Sequence, residues 1–214
     1  MTTNIPSRRR FFTGAAASVA GLAVARAALA ALPEPVIQTS AATADPLVPN
    51  TGRPYNPVVT VNGWTLPWRM NNGVKEFHLV AEPVVREVAP GFVVNMWGYN
   101  GQSPGPTIEV VEGDRVRIFV TNKLPEHTTI HWHGQRLPAG MDGVAGLNQP
   151  AIPAGKTFVY EFEARRPGTF MYHPHADEMT QMAMGMHGFW VTHPKTKHPL
   201  ISDVDRDFCF LLNA

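Results

Sequence analysis

"DRVRIFVTNKLPEHTTIHWHG", residues 114–134, carries both the fold class and the first trace of chemistry. Val116, Ile118 and Val120 alternate with Arg117, Phe119 and Thr121, the period of two that sets one side of a strand in a core and the other in water. Beyond Pro125 a second extended run, 128–132, leads into His131 and His133. Two residues apart on a strand, both imidazoles leave from the same face.

Working outward, further strand-like runs lie at 58–61, 76–81, 92–99, 107–111, 157–162, 168–172 and 188–192. Phe158, Tyr160 and Phe162 repeat the alternation, and "NGQSPGPT", "EGD", "PAGK" and "RPGT" separate the runs with turn-forming residues. The 214 residues are 44% hydrophobic, enough for a sizeable core, and 20 prolines with 18 glycines favour many turns over long helices. Eight or nine short strands without a helical period predict an all-β, Greek-key β-sandwich or barrel. Eighteen basic against seventeen acidic side chains, with no long run of either sign, exclude nucleic acid as a partner. The single cysteine, Cys209, forms no intrachain disulfide.

"YHPH" repeats the pattern of "HWHG" with His173 and His175. Two strand-borne pairs converge if their strands are neighbours, and four neutral imidazoles without a matching carboxylate pattern suit copper or zinc rather than magnesium or calcium. One pair alone is weak, since histidine also serves as a core or surface residue. Two pairs, each preceded by an apolar or aromatic strand, carry far more weight.

The N-terminus has Arg8 and Arg9 before Phe11 and Phe12, an Ala-rich stretch from 11 to 25, and Ala28-Leu29-Ala30. This pattern predicts a twin-arginine signal over 1–30, cleaved near Ala30, with periplasmic or secreted delivery. Gly14, Ser18 and Gly21 make the stretch too weakly apolar for a stable membrane span. Cleavage removes four arginines and no acid, turning a net charge of +1 into −3. Prolines at 33, 35, 46, 49, 54 and 57 among Ala, Thr, Ser and Asn make 31–57 a Pro-rich linker, expected with the signal to be disordered.

The run "YNGQSPGPTIEVVEGDRVRIFVTNKL", then "HWHG", "MDGVAGLNQPAIPAGKTFVYEF", "RPGTFMYHPH" and "GMHGFWV", resembles in order and spacing the N-terminal cupredoxin domain of the multicopper oxidases, laccase-like enzymes. The resemblance covers 58–195 and implies a copper-dependent oxidoreductase that couples one-electron oxidation of a small-molecule or metal-ion donor to four-electron reduction of dioxygen to water. It implies that His131 binds a type 2 copper and that His133, His173 and His175 bind a type 3 pair. It makes Asp142 an acid that relays protons near the type 2 site, where the residues alone favour a turn-forming Asp-Gly. In the family the remaining ligands, and the cysteine of the blue type 1 site, come from a C-terminal cupredoxin domain. That explains Pro174 between the two histidines, where a nitrite-reductase-like first domain would want cysteine. Residues 196–214 are similar to the start of a second domain, so the chain is expected to be truncated and inactive by itself, needing a second cupredoxin domain in cis or in trans. The competing expectation is an exported copper-binding or copper-tolerance protein without turnover.

Other residues have plainer expectations. Cys209 has no His or Met after it and is expected to be a buried core thiol. Met179, Met182 and Met186 share a face if their segment is helical, packing above the cluster, although thioethers also suit Cu(I). Asp177 and Glu178 are helix-start acids. His187 stands where the resemblance implies an aromatic, and His78, His127, His193 and His198 are expected at the surface.

Overall fold

The computed structural model describes residues 55, 57–61, 63–196 and 206–212; the expected signal, most of the linker and His198 lie outside them. Along the described residues the strands run β1 (Val58–Thr60), β2 (Trp68–Asn71), β3 (Val74–Ala89), β4 (Phe92–Tyr99), β5 (Gly105–Val111), β6 (Arg115–Asn122), β7 (His131–His133), β8 (Thr157–Glu163), β9 (Gly168–His173), β10 (Gly188–His193) and β11 (Asp207–Cys209). One sheet has the order β2-β3-β6-β8, with β4 on the far half of β3. The other has the order β5-β10-β9-β7, and β1 pairs with β11 in a separate parallel ribbon. This is the expected all-β, cupredoxin-like sandwich. Among the described residues no helix is long and apolar enough to cross a membrane.

The alternation that opened the sequence builds the core directly. Val116, Ile118 and Val120 of β6, with Phe77 and Leu79 of β3 and Tyr160 and Phe162 of β8, are buried against Ile108, Val110, Trp132, Tyr172 and Trp190 of the facing sheet. Trp132 sits at the centre, its ring 5.3 Å from Tyr160, 5.4 Å from Trp190 and 5.6 Å from Phe162. Tilted and edge-on pairs at this spacing add to the area that aromatic rings remove from water.

The polar face of the first sheet is laced by charge. Glu76 accepts from Arg69 at 2.8 Å and Arg117 at 2.9 Å, and Arg117 reaches Glu161 at 2.8 Å. Hydrogen bonds from Asn71 and Arg117 pull the Glu76 carboxyl down to about 2.

Three elements depart from expectation. β3 runs on to Ala89 because its second half pairs with β4 as a hairpin outside the sandwich, where burial no longer guides the alternation. β2 was hidden in "WRMNNGVKEF", although Asn72 (φ 50°) and Gly73 (φ 77°) form the two-residue Asn-Gly hairpin turn, a strong local signal. The strand expected over 128–132 narrows to β7, because Thr128 bridges to Ile152 and the Ile130 N–H donates to the Tyr160 hydroxyl at 3.0 Å instead of to a neighbouring strand.

Candidate metal centre

β7 and β9 are antiparallel neighbours, and their register decides which side chains meet. His131 lies opposite His173, Trp132 opposite Tyr172, and His133 opposite Met171. Since strand side chains alternate, Trp132 and Tyr172 enter the core while the histidines and Met171 share the other face. Tyr172 is pinned from below: its hydroxyl donates to the Pro106 carbonyl at 2.7 Å. A Cβ on Gly105 or Gly188 would collide with that ring, so two glycines make the room that keeps β9 seated.

Each ring is oriented by the nitrogen it does not offer. His131 Nδ1 donates to the Asp142 carbonyl at 2.7 Å, which leaves Nε2 with its lone pair. The turn that presents this carbonyl requires Gly143 at φ +85°, where any side chain would strike the Ile130 carbonyl. His173 Nδ1 donates to the Pro174 carbonyl at 2.9 Å, so its Nε2 is also a lone pair, and His133 Nδ1 faces it at 3.2 Å. Candidate ligand atoms of His131, His133 and His173 all lie within 4.8 Å of one another.

Burial pushes the His173 imidazole below its usual range, with the Pro174 hydrogen bond opposing and His131 adding to the shift. A neutral ring is the form that binds a metal. The donors are imidazole alone, the set that suits copper or zinc, so the residues present fit a copper centre.

His175 stands beside this trio rather than inside it. Its ring centre is 5.3 Å from that of His131, while its Nε2 turns to the Glu178 carboxylate at 3.4 Å. Its backbone N–H donates to Thr129 Oγ1 at 3.1 Å, tying the second histidine pair to the segment that leads into the first. Asp142, half-buried, holds Oδ1 3.5 Å from His131 Nδ1 and receives the Asn148 amide at 3.5 Å. It makes the turn and also stands at the site.

Several residues have roles that the sequence did not announce. Glu178 opens the short helix Glu178–Ala183, as an acid should, yet its carboxylate also lies 3.8 Å from His173 Nδ1. Gln181, fully buried on that helix, accepts from Thr128 Oγ1 at 2.7 Å and donates to Glu126 at 2.7 Å and to the His127 carbonyl at 2.9 Å. The helix is thereby fastened to the chain entering β7. The His-x-x-Glu spacing of His175 and Glu178 was visible in sequence, but not that the acid reaches both His173 and His175 while the amide of Gln181 is buried.

Three expectations need correction. His193 is no surface residue: it is buried, bonded to the buried Glu109 at 3.0 Å and stacked on Tyr55 at 3.6 Å. Met179 does not pack above the cluster: Gln181, two positions on, takes the inward side of the helix and leaves Met179 87% exposed. Met186 lies beyond the helix end and is fully buried. His78 and His127 are exposed as expected. Cys209 is a buried free thiol, raised to about 11 by burial and the nearby Asp207 and Glu109 charges.

A family model described as "Multicopper oxidase" matches residues 84–197. Copper resistance protein A of Escherichia coli is 40% identical over 104 residues, 49% of this chain and 17% of that protein. L-ascorbate oxidase of Cucurbita pepo var. melopepo is 46% identical over 100 residues, 45% of this chain and 18% of that protein. The crystal structure of a multi-copper oxidase from Pseudomonas thermotolerans superposes with a TM-score of 0.57 at 40% identity, covering 59% of this chain and 31% of the other. The matched stretch is thus less than about a fifth of the length of either curated relative.

Proposed function

The chain belongs to the multicopper oxidase family, and on that premise we propose that it supplies the N-terminal half of a three-copper centre in an exported oxidase that takes single electrons from a donor and reduces dioxygen to water. The observation that carries this is the compact trio of imidazoles, two of them fixed at Nδ1 by backbone carbonyls, with candidate ligand atoms of all three within 4.8 Å of one another. In this assignment His131 holds the type 2 ion, and His133, His173 and His175 hold the type 3 pair. Copper supplies one-electron steps that a four-electron acceptor requires.

The chain's own residues prepare the rest. The Asp142 carbonyl holds His131 in one tautomer, and the Asp142 carboxylate, partly open and 3.5 Å away, passes protons to the site from solvent. Glu178, whose carboxylate lies 3.4 Å from His175 Nε2, would orient that ring beside the trio. The type 1 site, the donor-binding surface and the other ligands belong to a second cupredoxin domain in cis or in trans.

Loading the 214-residue chain with Cu(II) and following oxygen uptake and the visible spectrum tests the assignment. The isolated chain takes up copper weakly, shows no intense blue thiolate band and oxidises no phenolic dye, because it offers imidazoles and no thiolate at the site. Adding a C-terminal cupredoxin half restores copper content and oxygen uptake, and His131→Ala abolishes both. Steady uptake by the isolated chain would show that it completes the site alone. With the second half present, Asp142→Asn leaves copper content intact and slows reoxidation by about 10²-fold. Unchanged reoxidation would return Asp142 to its turn.

The leader is assigned to twin-arginine export to the periplasm or exterior. Arg8→Lys with Arg9→Lys retains precursor in the cytoplasm; normal delivery on fractionation would overturn this.

A further inference from the structure

The face that carries the histidines continues past β9. β10 pairs with β9 so that Phe189 lies opposite Met171 and Gly188 opposite Tyr172. One more step in that register sets His187, just before β10, beside His173. His187 is 5% exposed, and among the described residues its imidazole has no hydrogen-bond partner.

A ring whose nitrogens no protein group occupies has a lone pair to offer a ligand. What lies in front of it is a cavity of about 460 Å³, lined by His187, His133, Met171, Met182, Phe189 and Leu211 among others. No carboxylate or thiolate lines it among the described residues.

We propose that His187, Met182 and Met171 form a separate site for a cuprous ion, in the cavity that opens beside His133. The chemistry of the wall selects the ion. Thioethers and imidazole are soft or borderline donors that suit Cu(I). A neutral, apolar wall favours a monovalent ion, since a divalent one without anionic ligands loses far more hydration than these donors return. His133 belongs to both the cavity and the trio, so a cuprous ion held here waits one residue from the centre it would enter. The site goes beyond the oxidase assignment and does not rest on it: it needs neither turnover nor a second domain.

Ag(I), soft, monovalent and redox-silent, is the probe. The full chain, labelled with carbon-13 at the methionine methyls, is titrated with Ag(I) without oxygen present. The first equivalent shifts the Met171 and Met182 methyls and leaves that of the exposed Met179 in place. His187→Phe and Met182→Leu each weaken this binding by about ten-fold or more. A double variant, His131→Ala with His173→Ala, keeps it, and this separates the site from the copper trio. Competition between the chain and a Cu(I) chelator gives the same ranking. Should His187→Phe fail to fold by circular dichroism, Met182→Leu decides alone, since that side chain is half-exposed and the change conserves volume. Unmoved Met171 and Met182 methyls, a response confined to Met179, or loss of Ag(I) binding in the double variant would each overturn the proposal.

Discussion

One face of one sheet carries buried imidazoles at both ends, and the ends are built for different purposes. At the β5 end His193 bonds to Glu109 at 3.0 Å, and Glu109 also accepts from Thr65 Oγ1 at 3.1 Å and the Val58 N–H at 3.4 Å. Tyr55 covers the histidine ring. Together these contacts fasten β1 and the chain before it to the sheet. At the β7 end His173 and His187 are equally buried, but their outward nitrogens face other imidazoles or a cavity. Burial alone therefore says nothing about a histidine's role: His193 is tied to a buried carboxylate, whereas the outward nitrogen of the equally buried His173 faces another imidazole. A ring held by a carboxylate serves as a fastening, and a ring that faces imidazoles or a cavity has a lone pair to offer.

The largest expected effect removes what both ends share. Trp132→Ala leaves a large hole at the centre of the core and costs ~3–5 kcal/mol. Urea unfolding reads this, and the histidine face should be lost with the fold. Survival with full stability would mean that the sheet does not depend on its core face.

Next, Glu109→Ala separates the ends. It removes the hydrogen-bond partner of a buried His193 and costs ~1–3 kcal/mol, as leaving a buried polar group unsatisfied does. Ag(I) or Cu(II) uptake per folded molecule should not change. His173→Ala should behave in the opposite way, giving up metal uptake with a smaller loss of stability. If the two variants moved stability and uptake alike, the contrast drawn between the ends would fail.

The smallest effect lies on the opposite sheet, where a carboxylate is held by arginines rather than by imidazole. Glu76 is depressed from 4.5 to about 2, so its contribution to stability is complete above 4.5 and fades as pH falls toward 2. Glu76→Gln should remove that part of the slope of stability between those limits and leave the profile near neutrality parallel. A slope identical to that of the parent protein would place the acid sensitivity elsewhere.

The alternation of β6 and β8 and the two His-x-His pairs were readable from residues alone, because strand periodicity and ligand spacing are properties of neighbours in the chain. From these followed the all-β sandwich and the four candidate ligands. The hairpin turn at Asn72-Gly73 was equally local and could have been found. Other features depend on residues far apart in sequence. His193 meets Glu109 across 84 positions, Gln181 meets Thr128 across 53, and His133 meets His173 across 40. By itself the sequence determined which residues lie inside a strand's dry face and which pairs of histidines leave together, since both are set by a period of two. Only the tertiary structure decided that His131, His133 and His173 close into a trio, that His193 is a fastening and that His187 looks into a cavity, because these partners are fixed by strand register between distant segments, which no local pattern encodes.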